Sequence, residues 1–269
     1  MQRQRFRFFE RLRVRWAEVD LQNIVFNGHY LTYWDTAISG YWRALGLPYA
    51  QAMTHLGGEL LVRKATLEYL ASAGYEDSLD VGMRCSSLGN SSITFECCVF
   101  RDAQALVSGE LVYVYVDAQG RKSTAVPAAL RQLLQDYEAG QDLWSLAWTE
   151  SAGLPSEAPE SAQLIMTNRL GMTIGQLHCR RHRESTLLCA GASCELTHLH
   201  VEPGVRGQGM GAVLLAQAKQ YAHTCGASTL WAYVPSYRLS WFTQYGFTPK
   251  KPEAGEDTAA SVFVSCPLV

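Results

Sequence analysis

Three glycines that alternate with other residues mark the part of the chain best suited to bind an anion. They are Gly207, Gly209 and Gly211, and they follow Arg206. Residues 195–201 before them have the pattern of a strand, and residues 210–223 after them have the pattern of a helix. Glycines at this spacing bury little, but they allow a tight turn whose N–H groups point into one hollow at the positive end of a helix. The stretch therefore predicts a phosphate or pyrophosphate site. The alternative is a glycine-rich turn without a ligand.

Two common phosphate-binding loops do not fit this stretch. No Lys-Ser or Lys-Thr pair follows the glycines, which disfavours a nucleoside-triphosphate loop. The spacing is G-x-G-x-G rather than G-x-G-x-x-G, and the next predicted strand, 229–234, ends without an acid that could hold a ribose. A dinucleotide-binding fold is therefore disfavoured as well.

A second candidate site lies in the N-terminal half, where Asp20 precedes a predicted helix. Cleavage of a thioester needs a carboxylate that attacks it or activates water, and donors for the developing oxyanion. Asp20 can supply the carboxylate, and the helix start near Asn27, Gly28 and His29 offers free N–H groups. A residue that caps the helix N-terminus would also be a carboxylate beside a helix start. Asp20 lies too far from the periodic run for a simple cap, so we interpret it as catalytic.

The neighbours of Asp20 have more than one interpretation. Asn27 can orient the nucleophile or hold the thioester carbonyl. His29 can transfer protons or can be an ordinary surface histidine. Asp35 is interpreted as a solvated helix residue rather than a catalytic one.

The elements around Asp20 predict an α+β domain. Apolar residues recur at three- and four-residue steps and predict one long helix that Gly46 and Pro48 end. These residues are Leu31, Trp34, Ile38, Tyr41 and Leu45. Alternating runs separated by turns follow, at 58–69, 79–88, 93–101 and 105–117. One long helix followed by consecutive antiparallel strands predicts a curved sheet packed around a central helix.

This element order and the residues around Asp20 resemble the 4-hydroxybenzoyl-CoA thioesterase group of the hotdog fold. Residues on the positions of the group's motif are Asp20, Val25, Phe26, Asn27 and Tyr30, with Asp35 where many members carry Glu. Asn23-Ile24 departs from the usual glycine step. The resemblance implies hydrolysis of acyl-CoA, with sites shared across a subunit pair, and hence a homodimer or homotetramer formed through this domain.

The glycine stretch resembles the acetyl-CoA loop of the GNAT superfamily of N-acyltransferases. Arg206, Gly209 and Gly211 take the motif positions, and residues 241–247 (Trp-Phe-Thr-Gln-Tyr-Gly-Phe) are similar to a later segment of the same family. The resemblance implies coenzyme A or acetyl-CoA as a substrate and an amine acceptor that the sequence does not identify. The residues expected to bind the cofactor are Val201, Arg206, Gly207, Gln208, Gly209, Met210 and Gly211.

The match to this family is incomplete. GNAT domains usually have a further strand and one or two helices ahead of this point, for which the chain has no room, so we predict a truncated α/β domain. The tyrosine that often protonates the leaving thiolate aligns with Phe242, and Tyr245 is expected to face elsewhere. On the strand that often carries the base, alternation puts His198 and His200 on one face and Glu195 on the other.

Length and composition favour a two-domain globular protein and do not indicate a nucleic-acid or membrane partner. The chain has 269 residues, 18% of them charged, and a formal net charge of -2. We predict a hotdog domain over 1–140, a linker over 141–162 and a GNAT-like domain over 163–269. The N-terminal arginines alternate with apolar residues, which favours an edge strand over a nucleic-acid-binding arm.

Neither a membrane association nor a bound metal is expected. The sequence has no 18-residue apolar run and no signal-peptide pattern, so we expect a cytoplasmic protein. The eight cysteines form no C-x-x-C pair and are interpreted as reduced thiols. Cys179 with His182, and His198 with His200, each lack the further ligands of a zinc site.

The leading hypothesis is a bifunctional enzyme with an acyl-CoA thioesterase half and an acyl-CoA-dependent N-acyltransferase half. One alternative is a thioesterase regulated by a non-catalytic GNAT-like domain that senses CoA or an acyl carrier. Another is a scaffold without turnover.

Overall fold

The chain divides into two compact units, Met1–Leu143 and Trp144–Val269. This computed structural model describes residues 1–120, 122–150, 161–186, 189–249 and 261–268. Each unit has its own sheet and its own apolar core. None of the helices in the described residues is long and apolar enough to cross a membrane.

The first unit is an antiparallel five-stranded sheet with helices, in the strand order β1-β3-β4-β5-β2. Its strands are β1 (Phe8–Arg13), β2 (Gly58–Tyr69), β3 (Ser78–Leu88), β4 (Ser92–Arg101) and β5 (Gln104–Asp117). Its helices are α1 (His29–Ala44), α2 (Tyr49–Leu56) and α3 (Ala128–Glu138). Strands β1 and β2 form the two edges, and the arginines around β1 pair with carboxylates, as Arg11 does with Asp80 at 2.8 Å.

Helix α1 packs against β1 and β3 through a wide apolar face on which Trp34 and Tyr41 are fully buried. Two glycines permit close packing in this core. A Cβ at Gly40 of α1 would clash with the Glu10 carboxylate, and one at Gly109 of β5 would clash with the Thr66 carbonyl of β2 and lie 2.9 Å from the Trp34 ring. The helix position therefore depends on the absence of side chains at these two sites.

The second unit is a seven-stranded sheet with one face covered by helices, in the order β11-β12-β10-β9-β8-β7-β6. The strands are β6 (Trp144–Glu150), β7 (Ser161–Asn168), β8 (Thr173–His182), β9 (Ser193–Val201), β10 (Thr229–Pro235), β11 (Thr248–Pro249) and β12 (Ser261–Pro267). The helices are α4 (Met210–Thr224) and α5 (Leu239–Gln244). Residues of both helices, among them Leu214 and Phe242, share the core with one side of the sheet.

The parallel pair β9 and β10 diverges part-way along. The two strands pair only over three residues each, Ser193 to Glu195 with Thr229 to Trp231. Beyond Glu195 and Trp231 they continue without pairing to each other, so the sheet opens at the end nearest the glycine stretch.

Two expectations about the elements need correction. The predicted linker over 141–162 contains strand β6, which pairs antiparallel with β7 because Trp144 and Trp148 pack against the core of the second unit. This strand also supplies an element that the GNAT-like domain was expected to lack.

Residues 151–160, which include the proline-containing part of the predicted linker, lie outside the described residues. The domain limits 1–140 and 163–269 stay predictions.

Helix α2 was not predicted from the sequence, where Gly46 and Pro48 were expected only to end the preceding helix. It begins directly after Pro48, a residue that suits the start of a helix.

Candidate functional site

In the first unit, a cavity of about 430 Å³ lies between the loop that carries Asp20 and the end of β2. The residues that line it are Asp20, Gln22, Ile24, Val25, Phe26, Asn27, Tyr30, Tyr69, Leu70, Ala71 and Ser72. One carboxylate therefore lines a cavity whose other residues are partly aromatic and aliphatic and partly polar. Such a mixture suits an apolar acyl group next to a reactive polar group.

A buried carboxylate two residues before Asp20 fixes the loop. Glu18 is 3% exposed and accepts hydrogen bonds from the Arg15 backbone N–H (2.8 Å) and from the Tyr33 hydroxyl of α1 (2.9 Å). The Arg15 guanidinium also donates to it, at 2.5 Å and 2.8 Å. Burial alone opposes the charged form, but these hydrogen bonds and the charge of Arg15 outweigh it and lower the pKa of Glu18.

The opposite wall of the cavity is joined to the loop by hydrogen bonds. The Tyr30 hydroxyl accepts from the Ala73 N–H at 3.1 Å, and the Val25 N–H donates to the Ala73 carbonyl at 2.9 Å. The Tyr69 hydroxyl donates to the Asn27 carbonyl at 3.2 Å. The start of α1 and the end of β2 are thus held together around the cavity.

The predicted catalytic residues are only partly brought together. Asp20 and Asn27 line the cavity, and one Asp20 carboxylate oxygen accepts the Gln22 N–H at 2.8 Å. Gly28 is the residue before the first turn of α1, and its N–H and that of Asn27 make no hydrogen bond to described residues. The His29 ring packs against Phe26, 6.0 Å between centroids, and is not among the residues that line the cavity.

In the second unit, a cavity of about 460 Å³ lies against the glycine stretch. The residues that line it are Leu199, Val201, Arg206, Gly207, Gly209, Met210, Gly211, Ala212, Arg238, Trp241 and Tyr245. Six of the seven residues predicted to bind the cofactor are in this set, and Gln208 is not. The Met210 side chain is buried in the core, so Met210 contributes its backbone.

The backbone of the glycine stretch is open to a ligand. The N–H groups of residues 207–211 make no hydrogen bond within the described parts of the chain, while the Ala212 N–H donates to the Gly209 carbonyl. Gly207 and Gly209 have φ values of +86° and +79°, which favour glycine, and the space where a Cβ would lie is empty. Arg206 is held by its Nε donating to the Val201 carbonyl at 2.9 Å. This is the geometry of an anion site at a helix start.

The expectation that Tyr245 faces away from this site is wrong. Tyr245 lines the cavity together with Trp241, 4.8 Å between ring centroids, because the two residues are four positions apart around α5. Phe242 is 2% exposed and packs in the core. The spacing of Arg238, Trp241 and Tyr245, three and then four residues, is the signal in the sequence that could have identified this face.

The expected alternation along β9 is also wrong. An extra residue, Thr197, interrupts the pairing of β9 with β8, so that His198 pairs with His178 but Leu196 pairs with Cys179. Cys194 and Leu196 before the bulge, and Leu199 and Val201 after it, all lie on the core side. Glu195 therefore shares the opposite side with His198 and His200.

Three histidine rings form a row on that side of the sheet. The ring centroids of His178 and His198 are 5.3 Å apart, and those of His198 and His200 are 6.1 Å apart and nearly parallel. Burial lowers the pKa of His198, and the nearby charges of His178, His200 and Arg238 lower it further. The lowered pKa favours the neutral form of the His198 imidazole. The described residues contain no group of three or more ligands that could hold a metal.

Comparisons with known proteins agree with this division. Residues 14–134 match the model of the thioesterase-like superfamily, and residues 155–262 match that of the acetyltransferase (GNAT) domain. The chain joins a thioesterase-like domain to a GNAT domain.

Individual relatives span about half of the chain. A curated protein of Aquifex aeolicus (strain VF5), named "Putative esterase", is 28% identical over 129 residues, which are 48% of this chain and 98% of that protein. The crystal structure of a thioesterase complexed with coenzyme A and Zn from Thermus thermophilus is 25% identical, with 51% of this chain and 98% of that chain covered and a TM-score of 0.44. A Pseudomonas aeruginosa protein of solved structure is 26% identical, with coverages of 50% and 93% and a TM-score of 0.44.

The Glu18 interactions give a pH-dependent prediction for the thioesterase-like domain. We expect Glu18→Gln to lower the free energy of unfolding by about 1–3 kcal/mol at pH 7, because the charged hydrogen bonds from Arg15 and Tyr33 are weakened. A lowered folded-state pKa means that this contribution is present above the ordinary glutamate pKa of 4.5 and is lost as the pH falls through the lowered value. The difference from the unaltered protein should therefore shrink in acid.

Urea denaturation at pH 7 and pH 3 measures both free energies. Asp102→Asn, at an exposed position in the β4–β5 turn, is the matched control and should change neither value by more than about 0.5 kcal/mol. Equal stability of Glu18→Gln and the unaltered protein at pH 7 would contradict the assigned role.

Proposed function

We propose that the chain is a two-domain enzyme acting on CoA thioesters. The thioesterase-like domain hydrolyses acyl-CoA, and the GNAT domain transfers an acyl group from CoA to an amine. One observation carries the proposal: each domain has backbone N–H groups without partners among the described residues, at a helix start, beside a cavity. Such groups stabilise an oxyanion in the first domain and a diphosphate in the second.

In the proposed hydrolysis, Asp20 either activates a water molecule that attacks the thioester carbonyl, or attacks it directly to form a mixed anhydride that water then cleaves. In both cases the C–S bond breaks, CoA leaves as the thiol and the acyl group is released as a carboxylic acid. The N–H groups at Asn27 and Gly28 stabilise the oxyanion, and the Asn27 side chain orients the nucleophile or the carbonyl. The His29 ring packs on Phe26. We assign His29 a role in proton transfer only because it lies at the start of α1. The hotdog arrangement, with α1 wrapped by the sheet, is part of the proposal and is supported by the complete burial of Trp34.

We expect Asp20→Asn to reduce the kcat of acyl-CoA hydrolysis by roughly 10²- to 10⁴-fold with little change in KM, because the carboxylate is lost while the turn acceptor is kept. Release of free thiol from a panel of aliphatic and aromatic acyl-CoAs measures this and identifies the preferred acyl group. Asp102→Asn, the same change in the β4–β5 turn, should retain the rate. Retention of more than half of the rate by Asp20→Asn would refute the catalytic assignment.

We also propose that the thioesterase-like domain forms a homodimer or homotetramer through β2. This strand is an edge of its sheet, is exposed over most of its length, and carries Leu61 and Val62 at 39% and 56% exposure. A long edge strand with exposed apolar residues is often covered by a partner, and the charged residues of β2 lie outside the Leu61–Val62 pair. Tyr69 at the end of the same strand lines the Asp20 cavity, so the proposed interface and the cavity are adjacent.

Multi-angle light scattering should give a dimer or tetramer for the unaltered chain and a monomer for the double variant Leu61→Glu, Val62→Glu, because charges on a paired edge strand oppose association. Leu146→Glu is the matched control, since Leu146 is 36% exposed on the edge strand β6 of the other sheet. It should leave the mass unchanged. A monomeric unaltered chain, or a double variant that stays associated, would disprove an interface through β2.

For the GNAT domain we expect Gly209→Ala to weaken binding of CoA by about tenfold or more, because a positive φ disfavours a side chain and the loop must rearrange. Isothermal titration calorimetry with CoA measures the affinity. Gly226→Ala is the matched control, at φ +76° beyond the far end of α4 with an equally empty Cβ position. It should carry the same backbone strain without the loss of affinity. Equal affinities of the two variants would reject the loop as the CoA site.

A second candidate function is a non-catalytic domain that senses CoA or an acyl carrier. Its basis is the sequence alone: Phe242 aligns with a tyrosine that often donates a proton in the family, although the Phe242 side chain packs in the core. Mass spectrometry measures whether any amine is acylated. A chain that binds CoA but acylates no amine would support the sensor over the enzyme.

A further inference from the structure

Tyr69 brings a phenol from the end of β2 to the wall of the Asp20 cavity. Its backbone pairs with Val107 of β5, so the phenol stands on a strand that is held in the sheet. Its ring packs on that of Tyr30 in the first turn of α1, 5.9 Å between centroids and at 69°. The place of the ring is therefore set by the strand and by Tyr30, and does not depend on the hydroxyl.

The Tyr69 hydroxyl makes its own contact, with the backbone at the start of α1. It donates to the Asn27 carbonyl at 3.2 Å. The Tyr30 N–H donates to the same carbonyl at a longer 3.4 Å. A phenol has one proton to donate, so Tyr69 cannot also donate to a thioester carbonyl while this bond is made. The hydroxyl thus acts on the backbone of Asn27, which itself lines the cavity.

The carbonyl that Tyr69 holds belongs to the same peptide group as the N–H of Gly28. This group is planar and trans, so its carbonyl and its N–H point in opposite directions. A donor on the carbonyl therefore fixes the direction of the N–H, and it also polarises the group so that the N–H becomes a stronger donor. The Gly28 N–H makes no hydrogen bond to described residues and is one of the two groups assigned to the oxyanion.

Helix α1 does not need this bond in order to be placed. It is held by its apolar face, on which Trp34 and Tyr41 are fully buried. Tyr69 is 52% exposed, and a hydrogen bond in contact with solvent adds little to folding. The effect of the hydroxyl is therefore local, on one peptide group beside the cavity.

We infer that Tyr69 is a positioning residue for thioester hydrolysis, whose hydroxyl holds the peptide group between Asn27 and Gly28 in the orientation that stabilises the oxyanion. This inference rests on the proposed hydrolysis and adds to it a residue on β2. The ring of Tyr69 forms part of the cavity wall, whereas the hydroxyl acts through the backbone. A variant that removes the hydroxyl and keeps the ring separates the two.

Tyr69→Phe in the full chain is that variant, assayed with whichever of acetyl-, hexanoyl-, palmitoyl- and benzoyl-CoA is hydrolysed fastest. We expect kcat to fall about 3- to 10-fold and KM to stay within about twofold, because the lost hydrogen bond supports an interaction made in the transition state. Loss of an oxyanion donor itself costs more, roughly 10²- to 10³-fold. Tyr75→Phe is the matched control and should change neither constant, since Tyr75 is 53% exposed and is not among the residues that line the cavity.

The carbonyl stretch of a bound ¹³C-labelled acyl-CoA reports on the oxyanion donors directly. Asp20→Asn is the background, because it is expected to bind the thioester and to cleave it slowly. Hydrogen bonds to a carbonyl lower its stretching frequency. We therefore expect difference infrared spectra to show a higher frequency when Tyr69→Phe is added to Asp20→Asn, and the same frequency when Tyr75→Phe is added instead.

The contrary outcomes can be told apart. An unshifted carbonyl band, or a kcat of Tyr69→Phe within twofold of the unaltered chain, overturns the inference and leaves hydrolysis standing. A rise in KM alone means that the hydroxyl contacts the substrate, and a fall in kcat together with a changed mass in light scattering means that it acts on subunit association. Both overturn the inference. If the unaltered chain hydrolyses none of the four acyl-CoAs, the proposed hydrolysis itself fails.

Discussion

Backbone N–H groups at the start of a helix must find an acceptor, and the GNAT domain is built around five that have none among the described residues. Residues 207–211 lead into α4 with two glycines at positive φ, a backbone that other residues adopt only at a cost. The helix is held in place by its buried apolar face, including Leu214 and Ala218, and not by a cap. Packing thus supports a turn whose N–H groups have no partner among the described residues.

The thioesterase-like domain also has N–H groups without partners among the described residues at a helix start, but its loop is held in another way. The start of α1 has no glycine stretch, and Gly28 before its first turn has ordinary helical angles. The loop ahead of it is instead fixed by Glu18, whose burial is offset by Arg15 and by Tyr33 on the second turn of α1. This charge holds the loop that carries Asp20 against the helix. Asp20 is thereby kept at the cavity without being fully buried itself.

Patterns that depend on local chain geometry could be predicted from the sequence, and those that depend on pairing between strands could not. The glycine spacing predicted the open turn, and three- and four-residue steps predicted a helix after Asn27. The bulge at Thr197 follows from how β8 and β9 are paired, and one extra residue was enough to place Glu195 on the side of His198. Strand β6 could not be predicted for a similar reason, because its partner strand β7 is separated from it in the chain by residues 151–160. The site roles of Asp20, Asn27 and His29 stay predictions.

The position of Tyr245 alters the balance between a catalytic and a sensing GNAT domain. The absence of a hydroxyl at Phe242 argues for a sensor only if that position faces the ligand, but Phe242 is packed against Phe247 in the core, 5.3 Å between ring centroids. A tyrosine there would have to bury its hydroxyl or displace the packing. Tyr245, at the end of α5, brings a phenol to the cavity wall beside Trp241 instead. The cavity therefore has a phenol on its wall, and the substitution at Phe242 does not by itself argue against acyl transfer.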